Sequence, residues 1–159
     1  MPDLRKQFFE ILERIMGKDK KVRFITCDLG YSFFERIQNK FPKQFLNAGC
    51  IEQSAVGICA GLAMSGLKPY FYSTTPFAIM RPYEFIRDDV CYQNLNVKLI
   101  GTSASGFLGF SHNLEGLENE EDILKNLPNL QIYFPKYEDV LKTAMESSYK
   151  LKCPSYIRI

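Results

Sequence analysis

Three side chains in this sequence are of types that do chemistry and stand where chemistry could be placed: Glu52, Phe77 and His112. Glu52 heads a stretch of little bulk. In it Ser54, Ala55, Gly57, Ala60, Gly61, Ala63 and Ser65 are interleaved with Val56, Ile58, Leu62 and Met64. That pattern predicts a helix over residues 53–65, stopped by Gly66. A carboxylate at a helix start is favoured by the helix dipole, so Glu52 could be no more than a good first-turn residue. Glycine inside a helix costs about 1 kcal/mol against alanine, so Gly57 and Gly61 need a reason. Close approach by another backbone or by a flat ligand would supply one. Phe77 offers a ring face for stacking, but on the residue alone a core role is the stronger reading in a chain with 13 phenylalanines. His112 is the only histidine, and imidazole titrates near neutral pH, which suits proton exchange.

The elements around these residues follow from periodicity. Leu4, Phe8, Ile11, Leu12 and Ile15 repeat at helical spacing and end near Gly17. Short apolar runs at 22–26, 45–47, 69–73, 97–102, 130–134 and 155–159 read as six strands. Helices are predicted over 31–41, broken by Pro42, from the 74–76 turn through about Tyr92, from Glu120, and over 137–151. Residues 103–119 form a long loop that carries His112, and loops of that length are usually functional. Strands alternating with helices predict an α/β fold. We expect a three-layer sandwich with a mostly parallel, about six-stranded sheet and helices on both faces. Residues 1–159 then make a single domain. Ligand sites in such sheets lie beyond the carboxyl ends of the strands. Asp28, Glu52, the 73–77 turn and the 103–112 loop all follow strands and share that rim.

Composition excludes several functions. A net charge of +2 with interspersed signs gives no reason to expect nucleic acid. No run is long and apolar enough to span a bilayer, and the amphipathic start is not a signal peptide. A cytoplasmic protein is the expectation. The five cysteines lack metal or redox spacing, so buried reduced thiols and no metal ligands are expected.

Residues 49–63, Gly-Cys-Ile-Glu-Gln-Ser-Ala-Val-Gly-Ile-Cys-Ala-Gly-Leu-Ala, resemble the G-I-x-E-Q-x-x-V-G-x-A-x-G-L-A signature of transketolase-like enzymes. In that family the motif lies in the pyrimidine-binding domain for thiamine diphosphate. The resemblance implies that Glu52 hydrogen-bonds the aminopyrimidine ring and sets its tautomer, while the cofactor carries the carbon chemistry. A glutamate can share or hold a proton in a dry pocket, which suits that role. Residues 69–77 resemble the family's P-x-x-x-T/S-x-x-x-F, whose aromatic stacks on the pyrimidine, here Phe77. Residues 106–112 resemble its G-x-x-G-x-T/S-H loop, whose histidine, here His112, reaches the substrate. Residues 81–86 resemble its R-x-Y-D/E-x-I/V piece, which makes Arg81 a candidate for a salt bridge at a subunit contact; Arg87 reads as part of a solvated helix face.

The departures matter as much. Sugar-phosphate transketolases carry an aspartate four residues before the histidine, and Leu108 stands there, which argues against an ordinary pentose phosphate. No Gly-Asp-Gly occurs, so the hard oxygen ligands that clamp the diphosphate through Mg2+ or Ca2+ are expected on a separate partner chain. The sequence ends where the family's pyrimidine domain ends. The expectation is a pyrimidine-binding subunit of a split enzyme, a hetero-oligomer or dimer acting on a small sugar or oxo acid, most simply by two-carbon ketol transfer. The alternatives are a subunit of a 2-oxo acid decarboxylase or dehydrogenase, and a non-catalytic binding or regulatory module with the same fold.

Overall fold

Six short β-strands all run the same way. A computed structural model of the chain describes residues 3–102 and 120–159. In chain order the elements are α1 (Arg5–Lys18), β1 (Val22–Thr26), α2 (Glu35–Lys40), β2 (Phe45–Asn47), α3 (Glu52–Met64) and β3 (Lys68–Thr74). There follow a π-helical segment Pro76–Met80, α4 (Tyr83–Phe85), a second π-helical segment Ile86–Cys91, and β4 (Lys98–Thr102). The chain closes with α5 (Glu120–Leu124), β5 (Gln131–Tyr133), α6 (Glu138–Lys150) and β6 (Ser155–Arg158). The strands pair in the order β2-β1-β3-β4-β6-β5. Every pairing is parallel, with Phe24 beside Tyr70, Tyr70 beside Lys98 and Lys98 beside Ser155.

Parallel strands bury both faces, and the period of two sorts their residues into two cores. Phe24, Tyr70, Tyr72, Ile100 and Ile157 face Phe8 and Leu12 of α1, Ile37 of α2 and Leu141 and Met145 of α6. Their neighbours Ile25, Phe71, Leu99 and Tyr156 face Val56 and Cys59 of α3, Ile79 and Val90 of the π-helical segments and Leu124 of α5. This is the expected three-layer α/β sandwich. Among the described residues no helix is long and apolar enough to cross a membrane.

Three local expectations are corrected. The helix predicted over 31–41 is only Glu35–Lys40. Gly30 and Ser32 adopt φ values of 92° and 72°, which no right-handed helix admits. The helix expected from 76 to 92 is two π-helical stretches flanking three α-helical residues. Pro82 divides them, because it has no N–H to donate into the helix. The cysteines are not uniformly buried: Cys27, Cys59 and Cys91 are, but Cys50 is exposed and Cys153 half-buried.

Candidate functional site

Along the sheet the chain leaves β1 for β2 on one side and returns to β3 on the other. The carboxyl ends of the strands beside that reversal are where α/β sheets bind ligands. Asp28, just past β1, takes a left-handed φ of 51°. Its carboxylate accepts a hydrogen bond from the Asn47 side-chain amide at 2.8 Å, and its N–H donates to Asn47 Oδ1 at 3.0 Å. The same Asn47 oxygen accepts the Gly49 N–H at 3.1 Å. This clasp ties β1 to β2 and shapes the turn through Gly49, whose φ is 74°. The turn delivers Glu52 as the first residue of α3, one position earlier than the sequence predicts.

Glu52 is 5% exposed. A buried carboxylate needs a partner, because an unpaired charge out of water is costly. Its partner is Arg81, whose Nη1 lies 3.2 Å from both Oε1 and Oε2. Arg81 thus has an intrachain partner in Glu52, beside the subunit contact for which the sequence reading makes it a candidate. Its N–H donates to the Pro76 carbonyl, five residues back, at 3.3 Å. That wide turn sets its guanidinium over Phe77, with the central carbon 3.6 Å from the ring centroid. Carboxylate, guanidinium and ring thus form one cluster, with Phe77 half-buried beneath. An open cleft of about 440 Å³ lies against it, lined by Cys50, Ile51, Glu52, Gln53, Ser54 and Arg81.

The far side of the rim is braced by a buried network that sequence reasoning missed. Glu120, the first residue of α5, accepts from Arg158 at 2.8 Å and from the Tyr156 hydroxyl at 3.1 Å. The Tyr156 hydroxyl also lies 3.4 Å from Thr75 Oγ1, at the root of the first π-helical segment. Burial raises the Glu120 carboxyl pKa, against the lowering pull of Arg158. The sequence reading makes Glu120 only the start of a helix; what could have flagged its partnership is an arginine at the end of a buried strand. At the end of β3 the Ser73 and Thr74 hydroxyls are buried with no hydrogen-bond partner among the described residues. Arg87, by contrast, is exposed and pairs with Asp88. Of the expected site residues, Glu52 and Phe77 are brought together, through Arg81. His112 and Leu108 lie outside the described residues. Among the described residues no group of three His, Cys, Asp or Glu side chains could hold a metal.

The cluster fits a flat, nitrogen-bearing ring. A planar N–H donor already lies between a ring face and a buried carboxylate; an aminopyrimidine is likewise planar, and with a proton on its ring nitrogen it offers an N–H to the same carboxylate.

Comparison with known proteins places the chain in a family. Residues 1–159 match the family described as transketolase, pyrimidine binding domain. The chain is 30% identical over 159 residues to one of the subunits of an apulose-4-phosphate transketolase of Phocaeicola vulgatus, covering 98% of this chain and 50% of that protein. It is 34% identical over 142 residues to a 1-deoxy-D-xylulose-5-phosphate synthase of Bacillus cereus, covering 86% of this chain and 22% of that one. Among solved structures, a split-gene transketolase described as an inactive beta4 tetramer superposes with a TM-score of 0.83 at 30% identity. That match covers 97% of this chain and 50% of the other. The chain spans about half the length of the subunit-type relatives it matches.

Proposed function

The chain belongs to the transketolase pyrimidine-binding domain family, and from that premise we propose that it is the pyrimidine-binding subunit of a split, thiamine diphosphate-dependent transketolase. Residues 1–159 act as one domain, in the cytoplasm, where five unpaired thiols fit a reducing compartment. The single observation that carries the reading is the Glu52–Arg81–Phe77 cluster, which already holds a flat N–H donor between carboxylate and ring.

Each residue has a stated task. Glu52 meets the ring-nitrogen edge of the pyrimidine and holds or shares the proton there. Its burial excludes the water that would compete for it. Phe77 supplies the face on which the ring lies, worth about 1 kcal/mol beyond area burial. His112 is assigned to the substrate side, exchanging a proton with the sugar or acyl group. When bound, thiamine diphosphate supplies a carbanion equivalent for breaking and making a bond next to a carbonyl. Mg2+ or Ca2+ and the diphosphate are held by a separate subunit carrying a Gly-Asp-Gly motif. The reaction is two-carbon ketol transfer between small sugars.

Reconstitution tests it. The chain is mixed with a Gly-Asp-Gly-bearing partner, the cofactor, Mg2+ and a ketose donor. Appearance of a two-carbon-extended acceptor supports the proposal. A complex that assembles and loads cofactor, yet transfers no carbon from any ketose or 2-oxo acid, leaves a binding module as the better account.

A further inference from the structure

Arg81 lies where a ring would have to go. Its guanidinium covers the Phe77 face at 3.6 Å and donates to both oxygens of Glu52 at 3.2 Å. A guanidinium and an aminopyrimidine share a planar π-system with N–H groups on its edge. Two such groups cannot lie on the same face and meet the same carboxylate edge together. We propose that Arg81 is a built-in placeholder: it fills the pyrimidine position in the free chain and swings out when the cofactor ring enters. This rests on the cofactor reading given above.

Physical chemistry supplies both the need and the means. Glu52 is 5% exposed, and without a partner its charge would be stranded in the empty site. The cation satisfies it until the ligand takes over. The Arg81 side chain is 45% exposed and borders the open cleft, so it can rotate outward with its charge still in water. The plainer account is an ordinary cation–π contact between residues four apart on one helical segment. That accounts for Arg81 on Phe77 but not for the bridge to Glu52, 29 positions away on a different helix. A placeholder also carries a cost that can be measured. A ligand that binds only the open form has its apparent affinity reduced by the open fraction, so a site plugged about nine-tenths of the time binds roughly tenfold more weakly.

The test titrates the 159-residue chain with 4-amino-5-hydroxymethyl-2-methylpyrimidine, the pyrimidine half of the cofactor, followed by NMR. Arg81→Met keeps the apolar stem but removes the plug, and it should bind the probe roughly tenfold tighter than wild type. Arg81→Lys keeps the charge for Glu52 but cannot lie flat on the ring, and it should fall between them. In wild type, the Arg81 side-chain N–H resonance starts shielded by the Phe77 ring. It should move to a solvent-exposed position as probe is added. That shift reads the displacement directly, even if Arg81→Met folds poorly. Equal or weaker binding by a folded Arg81→Met, or an Arg81 resonance that stays put while the probe binds, overturns the placeholder alone. Because ring stacking and one hydrogen bond alone correspond to a dissociation constant on the order of tens of millimolar, the titration runs to roughly 100 mM probe. No binding there by wild type or variants, with Glu52→Gln indistinguishable from them, overturns the cofactor reading and the placeholder with it.

Discussion

A carboxylate removed from water at a helix start can be a cap, a structural ion pair or a chemical group, and substitution separates these. Glu52→Gln keeps the size and one oxygen that can accept from Arg81. Its effect on thermal unfolding should stay within about 1 kcal/mol. Loss of a proton-holding group costs on the order of 10²–10⁴ in rate. Exchange of the cofactor C2 proton in the assembled complex should therefore fall by that factor while the melting point hardly moves. Equal exchange rates would reduce Glu52 to a cap. Lys98 makes a separate claim. It is 1% exposed and donates to the Leu151 carbonyl at 3.2 Å, the Cys153 carbonyl at 2.8 Å and Ser155 Oγ at 3.3 Å. Burial pulls its pKa down to about 8, below the unfolded value of about 10.4. Below pH 8 both states carry the proton, and the folded state bears the full burial cost. Between about 8 and 10.4 the unfolded chain keeps a proton that the folded chain has released, so this contribution to stability rises with pH. The Cys27 and Cys91 thiols, pushed up to about 11 and about 12 by burial, act in the opposite direction at alkaline pH. They cancel when wild type is compared with Lys98→Met. The stability of wild type relative to Lys98→Met should grow from pH 8 to 10 by up to about 1.4 kcal/mol per pH unit. Parallel denaturant curves across that range would contradict it. The placement of Glu52 and Phe77 at one rim was legible, because their motifs are contiguous in sequence and follow strands. That of Arg81 was not, because it depends on a π-helical turn that propensities do not encode.

At the scale of elements, α3 poses the question its sequence raised. Gly57 and Gly61 look as though something presses on them, yet among the described residues nothing does so closely. A methyl group at Gly61 would meet nothing within 4 Å, and one at Gly57 would meet the Phe85 ring at an ordinary 3.7 Å. On the same helix Ile58 is 38% and Met64 68% exposed. A surface that packs on α3 from outside would account for the small residues, and substitution tests it. Gly61→Ala should raise the stability of the isolated chain by about 1 kcal/mol, the helix-propensity gain, and weaken association with whatever covers α3. Unfolding melts of the chain and sedimentation of the complex read the two effects. If stability rises and association is untouched, α3 faces water. Gly101 on β4 is the contrast. A methyl there would come within 2.9 Å of Tyr156 Cε2 and 2.8 Å of Thr75 Oγ1, both buried, so the chain itself demands this glycine. The six strands were readable to within a residue or two because each is an apolar run bounded by polar residues. The start of α2 was not, because Ser32 adopts a left-handed turn that its sequence does not announce.

The whole molecule has two full cores, one on each face of the sheet, and a site that is open on one side. The sandwich was legible because strands and helices alternate regularly. What lies across the cleft was not, because this chain covers only about half the length of its subunit-type relatives. In the proposed function Glu52 and Phe77 address one ring of a cofactor that carries a charged diphosphate at its other end. A diphosphate is held by a hard cation with oxygen ligands in fixed geometry. Among the described residues no cluster could hold such a cation. Ring contacts alone supply stacking of about 1 kcal/mol and a hydrogen bond of about the same size. That is far short of the roughly 8 kcal/mol that micromolar binding requires. The chain by itself should therefore bind thiamine diphosphate with a dissociation constant well above micromolar, with or without Mg2+. Addition of a Gly-Asp-Gly-bearing partner should bring the constant to micromolar or below, and the gain should require Mg2+ or Ca2+. Calorimetric titration of the chain, the partner and their mixture distinguishes the contributions. Micromolar binding by the chain alone would mean that it carries its own diphosphate site, and the division of the active site between two subunits would be wrong.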